Sequence, residues 1–127
     1  MFLRLDLEDL SSVKKSAEEF LAKKERLDVL FNNADVNNPP SNQKSKQGYE
    51  MQLGVNTLAP YLFTTLLTPS LVRTTKTTPC GWTRVVWISS PAAYLFSTPG
   101  GLDVTKLDYK KELPRSYKCE QGRKCSP

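Results

Sequence analysis

Histidine is absent from this 127-residue chain. That absence removes the commonest zinc ligand and the commonest general base, and with them Ser-His-Asp and Cys-His catalysis. Long apolar runs are absent too: nothing approaches the ~18 residues that a membrane-spanning helix needs. The opening stretch MFLRLDLEDL carries acids among its first ten residues, so it lacks the ~7–15-residue apolar core of an export signal. Cysteine is scarce, with only Cys80, Cys119 and Cys125. Without an export signal a reducing, cytoplasmic setting is the default, and the three are expected as free thiols. With no histidine beside them, no metal site is expected. No concentrated basic stripe exists either. The net charge is +5, but the lysines are scattered and no aromatics interleave with them, which argues against nucleic-acid binding.

What is present reads as alternating elements. An apolar fraction of 39% and a charged fraction of 24% fit one globular domain with a modest core. FLRLDL (2–7) reads as the end of a strand. EDLSSVKKSAEEFLAKKERL has helical periodicity, with Val13, Ala17, Phe20 and Leu21 on one face. Asp9 or Ser11 can cap its start, and Lys14–Glu18 and Lys15–Glu19 are expected as i,i+4 pairs. LDVLFNN (27–33) suits a strand buried on both faces. The Pro-interrupted loop ADVNNPPSNQKSKQ leads into GYEMQLGVNTLAPYLFTTLLTPSLV, a helix that Pro60 should kink or unsettle. RVVWISS (84–90) is a third, β-branched strand. Strand, helix, strand, helix, strand is the unit of a doubly wound α/β sheet, whose ligands sit at the carboxyl ends of the strands. Those ends carry Asp6, Asn32-Asn33 and Ser89-Ser90.

In that order and spacing the strand endings resemble the short-chain dehydrogenase/reductase superfamily over roughly residues 3–117. LDLEDLSSV looks like the segment whose aspartate approaches the adenine of the cofactor, which gives Asp6 that role. VLFNNAD looks like the family's Asn-Asn-Ala-Gly stretch, so Asn32, Asn33 and Ala34 are expected beside the cofactor. GYEMQLGVNTLAPYLFTTLL is similar to the following helix, whose catalytic asparagine would be Asn56. RVVWISSPAA looks like the strand ending in the catalytic serine, Ser90. The stretch from Ser90 to Tyr117 resembles the long version of the segment before the catalytic tyrosine, as in retinol-dehydrogenase-like and related fungal members. The resemblance implies NADP or NAD as cofactor and a small-molecule alcohol or carbonyl as substrate. The serine would polarise the substrate oxygen. The tyrosine, with a free pKa near ~10, needs a lysine four residues later to lower it. No histidine is required.

Three departures follow from the same resemblance. No Gly-rich turn precedes the first helix, although the family uses one to bring the pyrophosphate to a helix N-terminus. At ~30 residues per βαβ step, roughly 60 residues of the family pattern are absent. Asp35 stands where the family has glycine, adding bulk and negative charge near a phosphate-bearing ligand. Gln121 stands where the lysine should follow Tyr117. One permitted coding of KCEQGRKC, shifted by one base, reads Ser-Ala-Ser-Lys-Ala-Gly-Asn. That restores a typical family motif after Tyr117, so residues 118–127 are expected to be an out-of-frame, disordered tail.

The fold expected is therefore α/β, an incomplete Rossmann-like doubly wound parallel sheet over residues 1–117. It runs from the end of the third strand to just before the catalytic-tyrosine helix. In the order 3-2-1-4-5-6, loss of strands one and two orphans the third and leaves a two-strand parallel pair flanked by helices. A small core and marginal stability follow. The function expected is that of an inactive remnant of an NAD(P)-dependent oxidoreductase. The alternative is a non-catalytic protein that pairs with a full-length relative through helix 49–72. Each site residue also has a plainer use. Asp6 could cap the following helix, Asn32 and Asn33 could tie neighbouring strands together, Ser90 could cap a helix, and Tyr117 without its lysine could be an ordinary surface tyrosine. Asn56 fits a plain role least well, because asparagine is a poor interior helix former.

Overall fold

A computed structural model describes residues 1–40, 42–91 and 93 of the chain. Met1–Ile88 forms one compact unit, and a second begins at Ser89.

Helix α1 (Leu10–Lys23) starts where Asp9, in extended backbone, accepts a bond from the Ser11 N–H at 2.9 Å. It buries Val13, Ser16 and Ala17. Its last turn carries Lys23, favourably placed at the negative end of the helix dipole. Glu19 pairs with Lys23 rather than with Lys15. That choice puts the acid N-terminal to the base, the better direction on a helix. Lys14 and Glu18 lie 4.0 Å apart.

Residues 2–7, expected as a strand end, belong to no strand or helix. A strand needs a neighbour to complete its ladder, and no described strand lies beside this one. The segment is fastened to α1 instead. The Ser16 hydroxyl donates to the Arg4 carbonyl, and the Asp6 N–H donates to Ser12 Oγ at 3.2 Å.

Strands β1 (Val29–Asn32) and β2 (Arg84–Trp87) pair in parallel, with Leu30 opposite Val85 and Asn32 opposite Trp87. Among the described residues they make up the whole sheet. The Ile88 N–H extends the ladder by donating to the Asn32 carbonyl at 3.0 Å. Side chains alternate across the pleat. Leu30 is buried in a cluster with Ala17 and Leu67, packed by Phe20, Leu27, Phe63 and Val85. Phe31, one residue on, is 61% exposed, so the sheet is covered on the Leu30 side and open on the other.

The second helical stretch comes in three pieces: α2 (Met51–Leu53), a π turn (Gly54–Leu58) and α3 (Ala59–Thr75). Pro60 explains the middle piece. Proline has no N–H, so the ordinary bond from residue 60 back to the Asn56 carbonyl cannot form. The helix loosens there to a wider turn, with the Ala59 N–H reaching back five residues to the Gly54 carbonyl. The expected kink is thus a π turn. Gly54 sits where this helix meets the preceding loop, and a Cβ on it would lie 3.2 Å from Ser45 Cβ.

The far end of α3 is stitched to the α1–β1 connection. Thr74 Oγ1 accepts from the Leu27 N–H at 3.0 Å and donates to the Ser70 carbonyl at 2.9 Å. No helix among the described residues is long and apolar enough to cross a membrane.

Candidate functional site

Two groups of polar side chains gather in the Met1–Ile88 unit. The first surrounds the carboxyl end of β1. Asn56, in the π turn, holds Val36 by both backbone groups: its Oδ1 accepts from the Val36 N–H and its Nδ2 donates to the Val36 carbonyl, each at 2.9 Å. A primary amide is the side chain suited to this task, since it offers a donor and an acceptor side by side. The π turn, frequent at functional sites, is where that asparagine sits. Asn32 donates through Nδ2 to Thr64 Oγ1 at 2.9 Å. It therefore ties β1 to α3, not to the neighbouring strand. Asn33 and Ala34 are exposed, and the Asn33 side chain has no hydrogen-bond partner among the described residues. The segment Asn32-Asn33-Ala34 is thus anchored at its start by Thr64 and just beyond its end by Asn56.

The second group lies at the start of α1. Asp6 Oδ1 accepts from the Glu8 N–H at 3.0 Å, forming a short turn ahead of the helix. The helix cap itself is Asp9. The loop before α2 closes over both aspartates. Lys46 Nζ lies 3.1 Å from Asp9 Oδ2 and 3.7 Å from Asp6 Oδ2. Gln47 donates to Asp9 Oδ1 at 2.9 Å and accepts from the Leu10 N–H at 3.1 Å. Donation by Gln47, and then by Lys46, holds the Asp9 carboxyl well below the usual carboxylate range. The same pairing, chiefly the hydrogen bond to Asp9, raises the Lys46 ammonium above its usual value. Gly48 makes the loop's turn, with φ at +84° and its N–H donated to the Ser45 carbonyl at 2.9 Å.

The structure thus brings Asn32, Asn33, Ala34 and Asn56 into one neighbourhood. Asp6 stands in the other, and among the described residues no hydrogen bond joins its side chain to the first group. Ser90 follows β2 in the sequence and belongs to the second unit, where it is exposed and its carbonyl accepts from the Ala93 N–H at 3.0 Å. Tyr117, Gln121 and the cysteines at 119 and 125 lie outside the described residues. Among the described residues no cluster of three or more His, Cys, Asp or Glu side chains is placed to hold a metal. Sequence reasoning missed Val36, Thr64, Lys46 and Gln47. A threonine in a helix and a lysine in a polar loop carry no distinguishing pattern.

Comparison with known proteins shows the family. The short chain dehydrogenase family model matches residues 1–100. A short-chain dehydrogenase/reductase of Emericella nidulans is 52% identical over 121 residues, covering 95% of this chain and 38% of the relative. One from Phomopsis amygdali is 48% identical over 112 residues, covering 88% of this chain and 33% of the relative. A solved structure of an uncharacterised Mycobacterium paratuberculosis protein is 39% identical, with a TM-score of 0.46, covering 52% of this chain and 23% of that one. The two-stranded parallel sheet with its helices is a Rossmann-like α/β arrangement. The chain belongs to the short-chain dehydrogenase family, a family of NAD(P)-dependent oxidoreductases acting on small molecules. It spans about a third of the length of the curated relatives it matches.

Proposed function

We propose that these 127 residues carry the middle part of an NAD(P)-dependent oxidoreductase that interconverts an alcohol and a carbonyl. The observation that supports this most is the Asn56–Val36 pair of hydrogen bonds. It ties Asn56, which this reading takes as the family's asparagine, to the loop leaving β1, which also carries the exposed Asn33 and Ala34. In this reading Asp6, Asn32, Asn33 and Ala34 serve the adenine side of the cofactor. Asn56 supports the proton relay, Ser90 orients the substrate oxygen, and Tyr117 exchanges the proton. The nicotinamide, when bound, gives or takes the hydride.

The residues present suit only half of that cofactor. Asp6 is half open to solvent and the Asn33 amide has no partner among the described residues, both fit for an adenine edge. Asp35, an exposed carboxylate beside Ala34, puts negative charge near the phosphates. Gln121 stands where the family pattern has the lysine that lowers the tyrosine's pKa. As this polypeptide the chain binds the adenine end weakly and performs no turnover, with residues 1–117 the family domain and 118–127 an out-of-frame extension. Nicotinamide absorbance, followed with NADH or NADPH and a series of aldehydes and ketones, should not change beyond a protein-free blank. Turnover above that blank overturns the inactivity. Sequencing the transcript across the Tyr117 codon tests the shifted frame.

A second reading has its own support. From Gln52 to Val72 the helix carries no charged residue. Its outer face presents Tyr61, Thr65, Thr68 and Val72 at helical spacing, with Tyr61 66% and Val72 53% exposed. A face of this kind is suited to pairing with a full-length relative. Co-purification with such a relative, abolished by Val72→Glu, is the expected result. Separate elution of the two proteins overturns it.

A further inference from the structure

We infer that Lys46 is a positioning residue for Asp6, holding its carboxylate where it can accept a hydrogen bond from the exocyclic amine of an adenine nucleotide. This rests on the reading above that Asp6 faces the adenine.

The geometry is specific. Lys46 is fastened by its backbone, its N–H donating to the Glu8 carbonyl at 2.9 Å. Its ammonium contacts two carboxylates at once, Asp9 at 3.1 Å and Asp6 at 3.7 Å. Those two aspartates are like charges three residues apart, and the cation between them offsets their repulsion. Asp9 is locked besides by Gln47 and the Ser11 N–H. Among the described residues Asp6 is held otherwise by the Glu8 N–H on Oδ1, by the bond from its own N–H to Ser12 and by the Asp9 N–H on its carbonyl at 3.3 Å. Among the described residues Lys46 is thus the cation that faces Oδ2. A carboxylate has about four acceptor sites. One accepts from the Glu8 N–H, Oδ2 faces the Lys46 ammonium at ion-pair distance, and the side chain is 43% exposed, so sites remain for an incoming amine.

Stability does not explain this lysine. A surface pair of this length, with Lys46 61% exposed, adds little to stability. Its larger effect is on where one carboxylate points.

The test uses the full chain, isotope-labelled, titrated with adenosine monophosphate and, in parallel, with inosine monophosphate, which lacks the exocyclic amine. Backbone amide shifts at Asp6, Glu8 and Ala34 are read. The adenine nucleotide should shift them in the unmodified chain. Lys46→Met should weaken that binding roughly three- to tenfold, the worth of one hydrogen bond, and leave inosine monophosphate unchanged. Lys46→Arg should restore it. If Lys46→Met fails to fold by far-ultraviolet circular dichroism, Lys46→Gln is read the same way.

Equal losses for both nucleotides overturn the inference, because they mark a general structural role. Unchanged adenine binding in the variants overturns it while the adenine-side reading stands. If the unmodified chain shows no shift with either nucleotide, the adenine-side reading itself falls and the inference with it.

Discussion

Replacing Asn56 by alanine should free the Val36 amide without unfolding the chain. Asn56 makes two hydrogen bonds to Val36, each at 2.9 Å and partly buried. Each is worth about 0.5–1.5 kcal/mol net, so their loss costs about 1–3 kcal/mol. Alanine returns roughly 0.5 kcal/mol, being the better helix former. That gain is spread over the helix, whereas the loss falls on the loop after β1. Native-state hydrogen exchange separates the two. The Val36 N–H should exchange about 5–150-fold faster in Asn56→Ala, the rate change that corresponds to 1–3 kcal/mol. The Lys24 N–H, bonded to the Phe20 carbonyl at 2.8 Å at the end of α1, serves as the internal control and should change little. Equal acceleration at both amides would mean global destabilisation instead. An unchanged Val36 rate would refute the reasoning, since the amide would not depend on Asn56.

Three further outcomes are expected. Thr74→Val leaves the Leu27 N–H without its acceptor and should cost about 1–3 kcal/mol in urea unfolding, with Thr74→Ser close to the unmodified chain. Gly48→Ala meets no atom within 4 Å but must hold φ at +84°, so it should lose about 1–2 kcal/mol from backbone strain alone; no loss would contradict the turn. Because the folded Asp9 carboxyl lies below its usual range, its contribution is complete above about pH 5 and is lost as pH falls below ~4, where the unfolded chain takes the proton first. Melting temperature should therefore drop as pH falls from about 5 to 2, and less steeply in Asp9→Asn. Asp28, lowered by its hydrogen bond from Arg26, accounts for part of the remaining slope.

Local pattern made much of this fold legible. The apolar face of α1 and its Asp9 cap, the two short strands and their parallel pairing all follow from periodicity and turn chemistry. Residues 2–7 misled because alternation describes a strand's side chains, while strand formation depends on a neighbour. Pro60 announced a break, but not that the break would be a π turn carrying Asn56. The Lys46–Asp9 and Gln47–Leu10 contacts cross 37 residues, and side-chain bonds over that separation leave no periodic trace. The Asn56–Val36 bonds were equally invisible. Asn56 was found only because its surroundings resemble a family.

The central claim is that the described residues keep the adenine side of a nicotinamide cofactor site. Titrating the isotope-labelled chain with NADH, with NADPH and with nicotinamide mononucleotide tests it most directly. The account predicts that both dinucleotides shift the amides of Asp6, Asn33 and Ala34 and that the mononucleotide does not. Shifts of equal size with the mononucleotide, or none at those residues with any of the three, would contradict it.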